Sequence, residues 1–270
     1  MDATYSIADL RYLMSRLRDP HTGCPWDVKQ TYQTITPHTI EEVYEVVDAI
    51  ERGDIAHLSE ELGDLLFQII FYSQLGDEDK QFDFDTVVSS ITAKLLRRHP
   101  HVFPDGTLQS VRDSHSVASE AEIKSNWEAI KKQERSAVGS AGTLDDIPLA
   151  LPALSRAFKL QKRAATRGFD WPEVSGVLGK VKEEIAELEQ EIALGNTQAM
   201  EDEMGDLLFS CVNLARHLAI DPEKSLARAS DKFKRRFQTM EATVGIESFA
   251  NLSLEQMEQQ WINAKRIESA

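Results

Sequence analysis

Gly63-Asp64-Leu65-Leu66-Phe67 returns 142 residues later as Gly205-Asp206-Leu207-Leu208-Phe209, and this repetition decides how the rest of the chain is read. At the same offset Glu41, Glu42 and Glu45 answer to Glu183, Glu184 and Glu187, Gly53 to Gly195, and Glu61 to Glu203. Outside the block the copies drift: Trp26 and Trp171 lie 145 apart, Lys94 and Lys232 138, Trp127 and Trp261 134. Loops have changed length while the elements between them have not. A run of small residues, Ala137-Val138-Gly139-Ser140-Ala141-Gly142, stands between the copies, followed by Leu144-Asp145-Asp146-Ile147-Pro148. The expected organisation is an N-terminal repeat over 1–136, a linker over 137–154 and a C-terminal repeat over 155–270.

Each copy reads as helical, because apolar residues recur at helical spacing and strand-like alternation is scarce. Val181, Ile185, Leu188 and Ile192 form one stripe; Met200, Met204, Leu207, Leu208, Cys211, Ala215 and Leu218 form another. Gly195 followed by Asn196-Thr197 supplies a helix stop and then a cap, as Gly53-Asp54 does earlier. Connections this short make the flanking helices antiparallel neighbours, so the sequence predicts an all-α fold of two tandem helical bundles.

Composition narrows the function classes. With 270 residues, 41% of them hydrophobic and 28% charged, the chain can bury a core without disulfide or metal staples. A formal net charge of −15 argues against a broad basic face for nucleic acid, so an anionic ligand needs local help. Cys24 and Cys211 stand far apart without CxxC spacing, which fits a reducing cytoplasm. Met1 to Leu17 carries Asp2, Asp9, Arg11 and Arg16 and does not read as a secretory signal. The most apolar stretch, Leu65 to Phe71, is too short to span a bilayer and contains Gln68. No membrane or nucleic-acid partner is expected.

The carboxylates carry the chemistry. Glu184 and Glu187 are three apart on one expected helix, Glu203 and Asp206 three apart on the next, and each pair therefore shares a helix face. Both pairs fall to the side of the apolar stripes, flanking the core without occupying it. Like charges brought together repel, a cost that a cation between them would offset. Hard oxygen ligands without His or Cys suit Mg²⁺, with Mn²⁺ as a substitute. One ExxE is an ordinary acidic helix face, and Thr39-Ile40-Glu41-Glu42 also spells a capping box. The pairing with ExxD at the same 16-residue separation in both copies, Glu45 to Glu61 and Glu187 to Glu203, points to a site. Glu41, Glu42, Glu45, Glu61 and Asp64 form the second candidate.

These residues resemble the MazG nucleoside triphosphate pyrophosphohydrolases, of the all-α NTP pyrophosphatase superfamily. The likeness extends to Gly23-Cys24-Pro25-Trp26-Asp27, Arg97-Arg98-His99-Pro100-His101, the Leu144 to Leu154 junction, Gly168-Phe169-Asp170-Trp171, Lys232-xxx-Arg236 and Trp261-xxx-Lys265. It implies Mg²⁺-dependent hydrolysis of nucleoside triphosphates between the α- and β-phosphates, giving a monophosphate and pyrophosphate. It also implies metal ligands at Glu184, Glu187, Glu203 and Asp206 with Glu183 beside them, phosphate contacts from Lys232 and Arg236, and closure of the nucleotide site by Trp261 and Lys265. The residue chemistry agrees: Lys232 and Arg236, four apart, offer a point charge and a fork to phosphate, and Trp261 and Lys265 could stack on a base and reach a phosphate.

A carboxylate-bridged di-iron bundle is disfavoured, because the third residue after Glu184 is Glu187 and after Glu203 is Asp206, where Glu-x-x-His is required. A non-catalytic nucleotide sensor or scaffold stays open as the alternative function. His99-Pro100-His101 reads as a helix-ending turn. The stretch Glu61 to Gln74 is apolar around much of its circumference, which predicts a homodimer or larger oligomer, as the resemblance also implies. The second copy is expected to be the main active site. Asn213, seven residues past Asp206, stands where the first copy has Phe71, and an amide there could bond a sugar or base. The first copy then serves mainly assembly, with a weaker site.

Overall fold

Every regular element is helical in the computed structural model, which describes residues 4–113, 119–138 and 142–268. The chain divides into two compact units, Met1–Ala137 and Val138–Ala270. Gly139, Ser140 and Ala141 of the small-residue run lie outside the described residues. Beyond them Ile147 is buried and Asp146 pairs with Arg163 at 2.8 Å, so this part of the expected linker packs within the second unit.

The first unit contains α1 (Ile7–Leu17), α2 (Tyr32–Arg52), α3 (Ile55–Glu78), α4 (Phe84–Arg98) and all but the last residue of α5 (Glu120–Val138). Local chemistry sets the boundaries. Ser6 and Asp9 form a capping box on α1, and α2 ends at Gly53, whose φ of 70° is the left-handed value glycine adopts without a Cβ penalty. Asp54 then caps α3, accepting from the His57 N–H at 3.1 Å. Helix α3 packs against α1, α2 and α4. The core between them is Met14, Ile35, Ile70, Phe71 and Leu75. Arg18 closes its end: the guanidinium lies 5.1 Å from the Phe71 ring centroid, donates to the Asp27 and Gln30 carbonyls and pairs with Glu78 at 2.6 Å. Glu134 of α5 holds Arg97 and Arg98 at the end of α4. That helix stops at Arg98, with His99 as its C-cap, so the His-Pro-His segment ends the helix as expected.

The second unit repeats the plan with α6 (Ala153–Ala165), α7 (Val174–Leu194), α8 (Thr197–His217), α9 (Pro222–Val244), α10 (Ile246–Phe249) and α11 (Leu254–Glu268). Helices α7 and α8 form the hairpin, α6 lies against α8 and α9, and α11 packs on α9. Gly195, with φ of 71°, ends α7, and Asn196 caps α8 by accepting from the Ala199 N–H. Substituting Asn196 by Ala is expected to cost about 1 kcal/mol, read as a melting midpoint lowered by a few degrees in calorimetry.

Two expectations are corrected. The Thr39-to-Glu42 capping box does not form, because α2 already starts at Tyr32 under a Thr31 cap. Thr39 is inside the helix, its hydroxyl engaged by the Ile35 carbonyl and the Tyr72 hydroxyl. The apolar stripes of α7 and α8 are also only partly their buried faces, with Val181, Leu188, Met200, Leu207 and Ala215 half-buried. Ile185, Ile192, Met204, Leu208 and Leu218 are all more than 40% exposed, while Ser210, Val212 and Asn213 are buried. Periodicity located an apolar face correctly but could not say what covers it.

Candidate functional site

The Gly195-Asn196 turn sets the register of the second hairpin, and with it the meeting of carboxylates across the two helices. Oxygens of Glu184 and Glu187 on α7 and of Glu203 on α8 all lie within 4.8 Å of one another. The first hairpin does the same with Glu42, Glu45 and Glu61. Asp206 and Asp64, one turn further along, are exposed and fall outside these tight groups. Glu41 and Glu183 are exposed as well, Glu41 facing His38 at 3.8 Å and Glu183 held by Lys180 at 2.7 Å.

Glu184 does not merely flank the core: it is 3% exposed. The flank is covered because the facing helix brings Glu203 against it and Lys180, four residues earlier on its own helix, reaches back to its carboxylate at 2.7 Å. Pairing of this kind offsets the hydration a carboxylate loses on burial. In the first unit the corresponding support is different: His57 Nε2 stands 3.0 Å from the buried Glu61, and the Gln68 amide donates to Glu42 at 3.4 Å.

A second group of expected site residues gathers on α9 and α11. The Arg236 guanidinium lies 5.5 Å from the Trp261 ring centroid and pairs with Glu268 at 2.6 Å, and Trp261 packs 5.4 Å from Phe233. Lys232 is exposed one turn earlier on α9, and Lys265 is exposed one turn after Trp261. Asn213 is buried on α8, with its carbonyl taken by Arg216.

The model of the MazG nucleotide pyrophosphohydrolase domain matches this chain twice, over residues 30–103 and 174–240. The chain belongs to the MazG family. Among similar proteins, the nucleoside triphosphate pyrophosphohydrolase of Escherichia coli K12 is 48% identical over 267 residues, spanning 97% of this chain and 98% of its own. The nucleoside triphosphate pyrophosphohydrolase/pyrophosphatase MazG of Thermotoga maritima is 38% identical over 266 residues, 98% and 97% of the two chains. A nucleoside triphosphate pyrophosphohydrolase of Mycobacterium tuberculosis matches at 32% over 164 residues, 60% of this chain and 46% of its own.

Electrostatics single out the two MazG hairpins. Desolvation, then the charges of Asp64 and Glu45, push the Glu42 carboxyl above its ordinary range. Desolvation, then Glu45, does so for Glu61. Desolvation raises Glu187 too, with Glu184 and Glu203 adding to it and Lys180 opposing. Lys180 itself is pushed well above the usual lysine range by its bonds to Glu183 and Glu184. Each hairpin therefore concentrates negative charge with incomplete compensation, an environment suited to a divalent cation.

This has a measurable consequence. A carboxylate whose folded pKa is raised opposes folding at any pH above that value, and the cost is relieved as pH falls through it or as a cation binds. Millimolar Mg²⁺ is expected to raise the melting midpoint at about pH 8 and to raise it less at about pH 5, where protons compete for the same oxygens. A midpoint indifferent to Mg²⁺ at the higher pH would count against cation binding.

Sequence reasoning missed Lys180, although its place one turn before Glu184 was a usable signal. It also missed the ties among Asp170, Arg216 and His217, where Asp170 binds both side chains. In the sequence Asp170 stands out only as part of Gly168-Phe169-Asp170-Trp171.

Proposed function

We propose that this chain hydrolyses nucleoside triphosphates between the α- and β-phosphates, releasing a nucleoside monophosphate and pyrophosphate. The reading rests on one observation above the others: two hairpins of a MazG-family chain each close three carboxylates into one group. Glu184, Glu187 and Glu203 would hold Mg²⁺, with Mn²⁺ as a substitute and Asp206 completing the set once the cation draws it in. The cation would offset phosphate charge, polarise phosphorus and lower the pKa of a coordinated water. Lys180 pairs with the buried Glu184 carboxylate and orients it, and Glu183 holds Lys180 from its other side. Lys232 and Arg236 would contact phosphates, while Trp261 and Lys265 close over the nucleotide.

The second unit is proposed as the main active site. At the end of the hairpin that would receive the nucleoside, Asn213 and His217 replace Phe71 and Leu75, both buried core residues in the first unit. Glu41, Glu42, Glu45, Glu61 and Asp64 then form a weaker site on a unit serving mainly assembly. On α3 of that unit Ile70, Phe71 and Leu75 are covered within the unit itself, while Leu62 and Ile69, with Val43 and Val47 of α2, stay exposed, a surface suited to a second copy of the chain. Sedimentation at micromolar concentration is expected to show a dimer or larger species, and a monomer would sink the assembly. Among the described residues no helix is long and apolar enough to cross a membrane. Both cysteines are free thiols, in keeping with a reducing cytoplasm.

The deciding experiment supplies a panel of nucleoside triphosphates with Mg²⁺ and resolves the products. Pyrophosphate with a monophosphate is expected. Orthophosphate with a diphosphate would refute the bond assignment, and Mg²⁺-dependent binding without turnover would favour a nucleotide sensor instead.

A further inference from the structure

Two amides of the second unit are locked in opposite senses. Gln161 of α6 is 8% exposed, and its Nε2 donates to the Phe209 carbonyl of α8 at 2.8 Å. Its other end is thereby fixed as an acceptor, and that buried Oε1 has no hydrogen-bond partner among the described residues. Asn213, one turn beyond Phe209, is 7% exposed. Its Oδ1 accepts from Arg216 through Nε at 3.0 Å and Nη2 at 2.8 Å, so its amide nitrogen faces elsewhere as a donor. Arg216 is held in turn by both oxygens of Asp170, which also meets His217 Nε2 at 2.8 Å.

The internal repeat shows that this fold can do without such polarity. Phe71 and Leu75 stand at the positions of Asn213 and His217 and seal the first unit as apolar core. A buried acceptor without a partner is costly, and a ligand that satisfies it removes the cost. Position limits what the ligand is. Asn213 lies ten residues past Glu203, about 15 Å along α8, a span comparable with that between the phosphates and the base of an extended nucleoside triphosphate.

We propose that Gln161 and Asn213 read the pairing edge of the substrate's nucleobase, Gln161 Oε1 accepting and Asn213 Nδ2 donating, with Arg216 and Asp170 as positioning residues. The proposal rests on the second unit being the nucleoside triphosphate site. Base rather than sugar follows from the locking: a hydroxyl rotates to suit either amide orientation, whereas a base edge has donors and acceptors of fixed polarity. Each of the common bases carries a donor beside an acceptor on that edge. Bases alkylated there would lose a partner and leave an amide unsatisfied.

The test compares equilibrium binding, with Mg²⁺, of the α,β-methylene analogues of ATP and of ribose 5-triphosphate, which lacks the base. The wild-type chain is expected to bind the ATP analogue at least about tenfold more tightly. Asn213→Asp keeps an acceptor for Arg216 but removes the donor; Gln161→Met keeps the volume but removes the acceptor. Each is expected to lose about tenfold toward the ATP analogue and nothing toward the abasic one, with unchanged helical circular dichroism. Equal losses toward both ligands would make the residues structural and overturn the proposal, as would folded variants with wild-type affinity for the ATP analogue. A wild-type chain that binds in this base-dependent way yet turns over no triphosphate would support the base reading and overturn the pyrophosphohydrolase reading alone.

Discussion

Glu187→Gln is expected to lower divalent-cation-dependent turnover by about 100-fold or more, while Glu45→Gln leaves it within about twofold. The two residues occupy the same place in the two hairpins, and each belongs to a three-carboxylate group. Removing either charge therefore removes the same kind of ligand. The difference between the variants measures which hairpin does the chemistry. Neither substitution should harm the cation-free fold. Glu187 is exposed and its carboxyl already sits above the ordinary range through desolvation and the nearness of Glu184 and Glu203. A neutral amide removes that repulsion, so the melting midpoint without cation should hold or rise while its response to Mg²⁺ shrinks. Steady-state kinetics and calorimetry on both variants decide the matter. If Glu45→Gln loses activity as a correctly assembled oligomer and Glu187→Gln keeps it, the assignment of units is reversed.

What could be read in the sequence was whatever depends on local chemistry or on repetition. Gly195 and Asn196 announced a stop and a cap, and both do those jobs. The carboxylates were legible because their spacing occurs twice, which no accidental acidic face would need. Burial was less legible. Glu184 was expected beside the core and lies within it, because cover depends on the facing helix and on Lys180, neither of which enters a count of angular positions on a single helix. The α8 stripe misled for the same reason: Leu208 and Met204 are apolar yet exposed, while Ser210 and Asn213 are polar yet buried. Periodicity ranks faces by composition, and composition agrees with burial only where nothing else competes for the interior. In the second unit a polar network competes, made of residues 40 or more positions apart in sequence, such as Asp170 and Arg216. No window along a single helix can register that.

Phe71→Ala is expected to destabilise the first unit by about 3–5 kcal/mol. Its ring is fully buried among Met14, Ile35, Ile70 and Leu75, edge-on to Phe67 at 6.0 Å and under the Arg18 guanidinium. Truncation removes the transfer energy of the ring, leaves a cavity and strips Arg18 of the surface it lies on, so its remaining hold is on Glu78 and two carbonyls. The unit cannot easily collapse around the loss, because α1, α2 and α4 all pack on α3. Urea unfolding followed by circular dichroism reads the cost, and turnover followed through the same titration separates the units. An active second unit should lose turnover near its wild-type urea concentration while the helical signal of the first melts earlier. A loss under about 1 kcal/mol would mean that the Phe71 site adapts like a surface. The apolar core would then be no reason to assign the first unit to assembly, and the case for the second as the active one would rest on its carboxylates and amides alone.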